Sequence, residues 1–384
     1  MKNVLIMTSG LTHGGVNRSL LNFLEVMSQR EYNFEVFSLY TYGPYLKLFK
    51  NYNLLTVYDS VWFPKWVKRI VSKDTKCSAS VRRITDFVLR VLSHLFHERT
   101  AKSIAKSLSK FEADVVISFQ EGYTTEIVSF VEANKLIAWV HCDYSRYING
   151  AKKDESNIYE RYSNIVCVSE YTASVFRSIV PAVGNRVVAI HNIMDSDGIK
   201  ALSLDKMKLT YQNNILNLVS VGRLDPVKRF SYIPSIAKKL KDNDVDFKWY
   251  IIGDGGAEKD IVVNRIKENS VEDYVVLLGE LDNPYPYIRN ASALVCLSSS
   301  EACPNVINEA KILHTPIVTT DFPSVSEYVS NNDYGFVAAI EDIHSTINNL
   351  LSDDSKYRRI KEVCNAFEYD NTSIVSKIVD LIDD

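Results

Sequence analysis

Residues 298–309 read SSSEACPNVINE, and the reading of this stretch decides the fold. Ahead of it, Ala293 to Leu297 is a short apolar run of strand type. Behind it, Val306, Ile307, Ala310 and Leu313 recur at helical spacing. Pro304 marks the change of period, because proline is best tolerated in the first turn of a helix, where its missing N–H would have been an orphan donor. A helix is therefore predicted to begin near Pro304 or Asn305. Glu301 then lies in the loop at the helix mouth and Glu309 about one turn inside, with the first backbone N–H groups and the positive end of the helix dipole between them. Such a mouth suits a phosphate, and a carboxylate beside it suits hydroxyls. The plainer alternative makes Glu301 a dipole partner and Glu309 a solvated face residue.

The same strand-to-helix alternation runs outward from this stretch in both directions. Ile215 to Val221, Phe247 to Ile252, Val275 to Leu278 and Ile317 to Thr320 are further apolar runs, each ending in glycine or polar residues. In the first half, Val4 to Met7, Phe34 to Tyr40, Val115 to Phe119, Leu136 to Val140, Ile165 to Val168 and Val187 to Ile190 read the same way. Near-continuous apolar strands separated by helices argue for parallel sheets covered on both faces. A chain of 384 residues is too long for one ordinary core. The expectation is an α/β protein of two Rossmann-like domains: residues 1–193, a connection at 194–213 that lacks a long apolar run, and residues 214–364. The last helical segment, from about Asp354 to Asp384, adds no strand. Ligands bind outside the carboxyl ends of strands in such sheets, so the polar residues there, Gln120 and Glu121 or His141 and Asp143, mark a candidate rim.

Composition excludes several classes. Hydrophobic content of 46% and charged content of 24% are those of a globular protein. No apolar run approaches the ~20 residues that span a bilayer. MKNVLIMTSG holds too short an apolar core for a secretory leader and reads as a first strand, so a cytoplasmic location is expected. Six scattered cysteines without zinc spacing fit reduced thiols. The strings Asp195/Asp197 and Asp242/Asp244/Asp246 fall before or outside strand ends and read as turn chemistry, so no metal is expected. Charge is uneven: residues 62–110 hold twelve basic and three acidic side chains, which leaves the rest of the chain at −12 within a total of −3. The block mixes Trp62, Phe63 and Trp66 with Lys65, Lys68 and Arg69, then sets Val81, Ile84, Val88, Val91, Leu92 and Leu95 beside Arg82, Arg83 and Arg90. Two readings stand: an interface with an anionic membrane surface, or a helix packed on the first sheet with its cations solvated. Nucleic acid is not expected, since the remaining negative charge repels it and no base-reading motif is present.

Arg223 and Lys228 follow a strand directly, in a loop bent by Gly222 and Pro226, and two cations at one strand end suit a diphosphate. Gly253, Gly255 and Gly256 form another glycine turn. VGRLDPVKRF, IIGDGG and SSSEACPNVINEA, in this order, resemble the C-terminal half of retaining glycosyltransferases of GT-B fold, glycosyltransferase family 4. The two glutamates match that family's EX7E pattern, and SGLTHGGVNRSL resembles its N-terminal glycine loop. The resemblance implies two Rossmann-like domains facing each other across a cleft. It implies a nucleotide-sugar donor, expected to be UDP-linked, as substrate in place of any cofactor, and a glycan or lipid-linked acceptor as partner. It also implies a terminal helix, about 365–384, that returns to the first domain. On that basis Arg223 and Lys228 would hold the diphosphate, Glu309 the ribose, and Glu301 and His141 would lie at the sugar. Gly14, Gly15, Gly253, Pro304, Asn305 and Val306 would line the donor. Three family glycines are replaced, by Ala302, Arg229 and His314. An epimerase of the same fold, or a noncatalytic partner subunit, are the alternative readings.

Overall fold

The structure is a computed structural model that describes residues 1–11, 14–40, 45, 48–49, 52–56, 87, 91, 95–151, 156–205, 211–212, 215–330, 333–352 and 354–384. Most of the basic block, residues 62–86, 88–90 and 92–94, lies outside the described residues. The chain divides into two compact units, Met1–Ile193 with Thr372–Asp384, and Met194–Asn371.

The first unit contains, in chain order, β1 (Lys2–Thr8), α1 (Gly15–Met27), β2 (Tyr32–Ser38), β3 (Asn53–Thr56), α2 (His97–Leu108), β4 (Val115–Ser118), α3 (Tyr123–Val128), β5 (Lys135–Val140), α4 (Tyr144–Ala151), β6 (Asn164–Cys167), α5 (Glu170–Ile179) and β7 (Val187–Ala189). Its strands form one parallel sheet in the order β3-β2-β1-β4-β5-β6-β7. All four residues of β4 are buried, as a strand covered on both faces requires. One cover is α1, whose Leu20, Phe23, Leu24 and Met27 are buried on the face that the sequence spacing assigns to them.

The second unit contains α6 (Ser196–Leu202), β8 (Leu216–Val221), α7 (Ile233–Asp242), β9 (Phe247–Ile252), α8 (Lys259–Glu268), β10 (Val275–Gly279), α9 (Tyr285–Asn290), β11 (Ala293–Cys296), α10 (Asn305–Ile312), β12 (Ile317–Thr320), β13 (Gly335–Ala338), α11 (Ile343–Ser352) and α12 (Asp354–Asn365). Its parallel sheet runs β10-β9-β8-β11-β12-β13. Trp249 lies buried in the centre and donates its Nε1–H to Ser220 Oγ (3.0 Å), which donates in turn to the Val295 carbonyl (2.7 Å), so one relay ties β9, β8 and β11. In both units the strand order reverses between the first and fourth strands, β1/β4 and β8/β11. This is the doubly wound order, and the crevice at the reversal is its ligand position.

Three features depart from the sequence reading. The edge strands β3 and β13 are absent from the apolar runs read in the sequence. The stretch 194–213, expected as a connection, is in its described part a working piece of the second unit. Asp195 caps α6 by accepting from the Gly198 N–H (3.0 Å), and Met194 and Ile199 are buried in the core with Tyr250 and Phe322. An aspartate-rich string that resembled a linker is therefore a helix cap. The terminal helix α13 (Asn371–Asp383) starts later than expected, and from Thr372 onward belongs to the first unit. There Lys2 Nζ donates to the carbonyls of Ile382 (3.0 Å) and Asp383 (2.8 Å), and Tyr32 Oη donates to Asp383 Oδ2 (3.0 Å).

Two of the three positions where glycine was expected take the left-handed backbone that glycine favours: Arg229 has φ 54° and His314 has φ 59°. Ala302 is not among the positive-φ residues, so alanine fits there without backbone strain. A side chain in the left-handed region costs ~1–2 kcal/mol, and glycine returns part of that gain through its freer unfolded chain. Arg229→Gly is expected to raise stability by ~0.5–1 kcal/mol in urea unfolding. A loss of stability would mean that the Arg229 side chain has contacts that outweigh the strain.

Candidate functional site

The opening stretch forms the loop and helix mouth that its sequence implies. α10 begins at Asn305 with Pro304 as its N-cap residue, and the Pro304 carbonyl accepts from the N–H groups of Ile307 (3.0 Å) and Asn308 (3.2 Å). The loop ahead of it is held from several sides. Ser299 N–H donates to the Val227 carbonyl (2.8 Å), Thr320 Oγ1 to Ser298 O (2.6 Å), Ser324 Oγ to Glu301 O (2.7 Å), and Tyr328 Oη to Ala302 O (3.2 Å). Ser298, Thr320, Ser324 and Tyr328 are all buried. Each of these donors satisfies a loop carbonyl that has no strand partner, which is what lets a loop keep one shape.

Within this frame Lys228, at the end of the turn after β8, meets Glu301: Nζ to Oε1 is 2.5 Å, and Ser298 Oγ donates to the same oxygen at 2.6 Å. Burial draws the Lys228 ammonium toward neutrality, but the Glu301 charge beside it outweighs that, and the pKa stands above the ordinary lysine value. Lys228 also lines a small cavity with Val221, Phe230, Cys296, Ser298 and Val306, at the reversal point between β8 and β11. Arg223 is largely exposed and pairs with Asp225, Nη2 to Oδ2 2.9 Å. Glu309 is 8% exposed, against the plainer expectation of a solvated residue, and accepts from Tyr285 Oη at 3.4 Å.

The glycine turn after β9 has a packing role. A Cβ on Gly253 would stand 1.9 Å from the Gly222 carbonyl oxygen, and one on Gly256 2.3 Å from that of Leu224. These glycines bring the β9 loop against the β8 loop that carries Arg223 and Lys228. The DxD strings serve turns and caps: Asp195 caps α6, Asp242 pairs with Lys238, and Asp244 is a left-handed turn residue. Among the described residues no group of His, Cys, Asp and Glu is arranged to hold a metal.

In the first unit Gly14 is the N-cap residue of α1 at φ 158°, with nothing within 4 Å of where a Cβ would stand, and Gly15 is the first helical residue. His141 follows β5. Its ring lies against Phe119 (centroids 5.0 Å), and its Nε2 is buried with no hydrogen-bond partner among the described residues. Burial pushes the imidazole pKa down from 6.5 to about 3, so the ring is neutral near pH 7. The structure thus brings Lys228 and Glu301 together, sets Glu309 on Tyr285 and Arg223 on Asp225, and places the other candidates at strand ends, as His141 and Gly253, or at helix starts, as Gly14, Gly15, Pro304, Asn305 and Val306. Sequence reasoning missed Tyr285, Asp225, Ser298 and the trio of Thr320, Ser324 and Tyr328. The trio could have been found, because DFPSVSEY stands at a strand end like the loops that were singled out.

Residues 207–364, most of the second unit, match the family model of glycosyl transferases group 1. Among curated proteins, an N-acetylgalactosamine-N,N'-diacetylbacillosaminyl-diphospho-undecaprenol 4-alpha-N-acetylgalactosaminyltransferase of Campylobacter jejuni is 28% identical, over 44% of this chain and 45% of that protein. A UDP-Gal:alpha-D-GlcNAc-diphosphoundecaprenol alpha-1,3-galactosyltransferase of Escherichia coli is 27% identical, over 50% and 58%. The chain thus spans about half the length of these curated relatives. Among solved structures, HepE of Anabaena in complex with UDP-glucose superposes with a TM-score of 0.76 at 15% identity, over 100% of this chain and 99% of that one. S. aureus TarM superposes at 0.74 and 13%, over 100% of each chain. The two Rossmann-like parallel-sheet units are those of the GT-B fold.

A half-buried histidine held neutral has a consequence for acid stability. Its folded pKa lies below the unfolded value, so its contribution is complete above about pH 6.5 and is lost as the pH falls toward 3. Between pH 6 and 4 the wild type is expected to lose up to about 1.4 kcal/mol per pH unit more than His141→Phe, as read by denaturant unfolding. Equal slopes would show that His141 is protonated without cost.

Proposed function

We propose that this chain is a retaining glycosyltransferase, moving a sugar from a nucleoside-diphosphate donor, UDP-linked, to a hydroxyl of a glycan or lipid-linked acceptor in cell-surface polysaccharide assembly. The observation that carries the reading is the Lys228–Glu301 pair at the helix mouth, at the reversal point of the unit that matches glycosyl transferases group 1. The names of two relatives include a diphosphoundecaprenol acceptor, and HepE and TarM were solved with UDP-glucose or UDP, which supports both partners.

Cleaving the anomeric bond leaves negative charge on the diphosphate and positive charge on the sugar. Lys228 and Arg223 are the cations after β8, and each is held in the ligand-free chain by a carboxylate that a diphosphate would replace. The α10 N-terminus, which follows Pro304, adds the N–H groups of Asn305 and Val306 and its dipole to the same charge. Glu309, acceptor-only when ionised, binds the ribose hydroxyls. Glu301, released from Lys228, faces the sugar, and His141 offers a neutral ring nitrogen to a sugar hydroxyl. The cations supply the charge stabilisation, so the reaction proceeds without a metal. The basic block from Trp62 to Lys110 brings the enzyme to the anionic inner face of the membrane, where a lipid-linked acceptor lies. No described helix is long and apolar enough to cross a bilayer.

The test is incubation with a panel of nucleotide sugars, with and without lipid-linked acceptors, in EDTA. The expected result is nucleotide release only with acceptor, retained anomeric configuration, and a turnover lowered at least ~10²-fold by Lys228→Ala or Arg223→Ala. Glu309→Gln should weaken donor binding more than turnover. Interconversion of sugars without acceptor would support the epimerase reading instead, for which no observation speaks. Sedimentation with anionic liposomes is expected to fall at high salt and on neutralising Lys65, Lys68 and Arg69, and absence of binding at low salt would overturn the membrane role.

A further inference from the structure

At the carboxyl end of β5 the sheet runs out of backbone partners. Lys135 N–H donates to the Asp114 carbonyl, and the register pairs Ser118 with Ala138. With the ladder's two-residue period, the His141 N–H would fall to the Gln120 carbonyl. That carbonyl is already taken by three hydroxyls, those of Ser118 (2.9 Å), Thr124 (3.0 Å) and Thr125 (2.9 Å), which turn the chain away into α3. The His141 N–H finds Glu121 Oε2 instead, at 3.0 Å. Burial, and then the Glu121 charge nearby, keep the Cys142 thiol protonated.

We propose that Glu121 is a positioning residue. Its carboxylate stands in for the missing strand carbonyl, fixes the His141 peptide, and so keeps the imidazole against Phe119 with its Nε2 presented for a ligand hydroxyl. A charge-assisted bond to a backbone N–H is about twice as strong as a neutral one, which suits a turn that no ladder extends. The catalytic consequence rests on the reading of His141 as a sugar contact; the structural one does not.

The full-length chain carrying Glu121→Ala and Glu121→Gln tests it by two readouts. Histidine-selective NMR, with the His141 signal assigned by its loss in His141→Phe, follows the ring's titration. The wild-type ring stays neutral down to pH 4.5, and Glu121→Gln, whose amide oxygen can accept the same N–H, behaves alike. In Glu121→Ala the loosened ring meets water and its titration moves up by more than one pH unit. Under the transfer assay, Glu121→Ala lowers kcat at least ~10-fold with the donor KM changed less than ~3-fold, and Glu121→Gln restores kcat to within ~3-fold. If Glu121→Ala does not fold, Glu121→Asp, which withdraws the carboxylate by one methylene, takes its place with the same expectation. An unchanged His141 titration in Ala or Asp, or a shift as large in Gln, overturns the proposal. The NMR shift with Gln rescue, in a protein that transfers no sugar, upholds the positioning role and overturns the reading of the reaction.

Discussion

The ion pair between Lys228 and Glu301 is the contact that joins the two loops at the reversal point of the second unit's sheet. In a doubly wound sheet the loops after the first and fourth strands diverge, because their helices pack on opposite faces, and the crevice between them is left open. Here those loops follow β8 and β11. They are rejoined by one charged hydrogen bond of 2.5 Å and by the Ser299 N–H to Val227 carbonyl bond. Breaking a partly buried pair by removing one partner strands the other charge in low dielectric, which is far costlier than losing a surface pair. The pair is thus stable as long as nothing else offers Lys228 an anion, and a diphosphate is an anion of higher charge. On the function proposed above, the carboxylate that keeps the lysine charged and oriented is the one it would leave for the donor.

The surrounding hydroxyls make this exchange local. In the exchange proposed above Ser298 would remain on Glu301, and Thr320, Ser324 and Tyr328 hold the backbone of residues 298–302 through their carbonyls. The loop can change partner at one atom without changing shape. Preorganisation of this kind is what electrostatic stabilisation of a leaving group requires, since charges that must be reassembled during reaction lose much of their effect.

How far the sequence was legible follows from what each residue's role depends on. The strands were visible because both faces are covered, which makes them continuous apolar runs, and α10 was visible because Pro304 punctuates it. Lys228, Glu301 and Glu309 could be singled out because they lie at fixed offsets from a strand end or a helix start. Their partners were not: Tyr285 reaches Glu309 from α9 and Asp225 takes Arg223, through tertiary geometry that no spacing encodes. Gly253 shows a related limit. A glycine beside a strand end suggests close approach of a ligand, yet here the close neighbour is the Gly222 carbonyl. The replaced glycines divide the same way, with Arg229 and His314 in the left-handed region and Ala302 outside it, a distinction that only the backbone reveals.

The two units solve one problem twice. In each, the fourth strand, β4 or β11, stops short, and the chain leaves it for a helix through a loop whose carbonyls are gathered by hydroxyls: Ser118, Thr124 and Thr125 in the first unit, Thr320 and Ser324 in the second. In each, a glutamate from that loop then makes the contact that the sheet no longer can. Glu121 reaches the amide after the fifth strand, where a ladder bond is missing, whereas Glu301 reaches the lysine after the first strand, where the crevice opens. A carboxylate suits both places because it accepts from several donors at once without needing the backbone alignment that a carbonyl in a ladder requires. On the roles proposed above, the difference between the targets is functional. An amide bound to Glu121 has no reason to leave it, so that glutamate fixes geometry. An ammonium bound to Glu301 can be drawn off by a stronger anion, so that glutamate holds a charge in reserve.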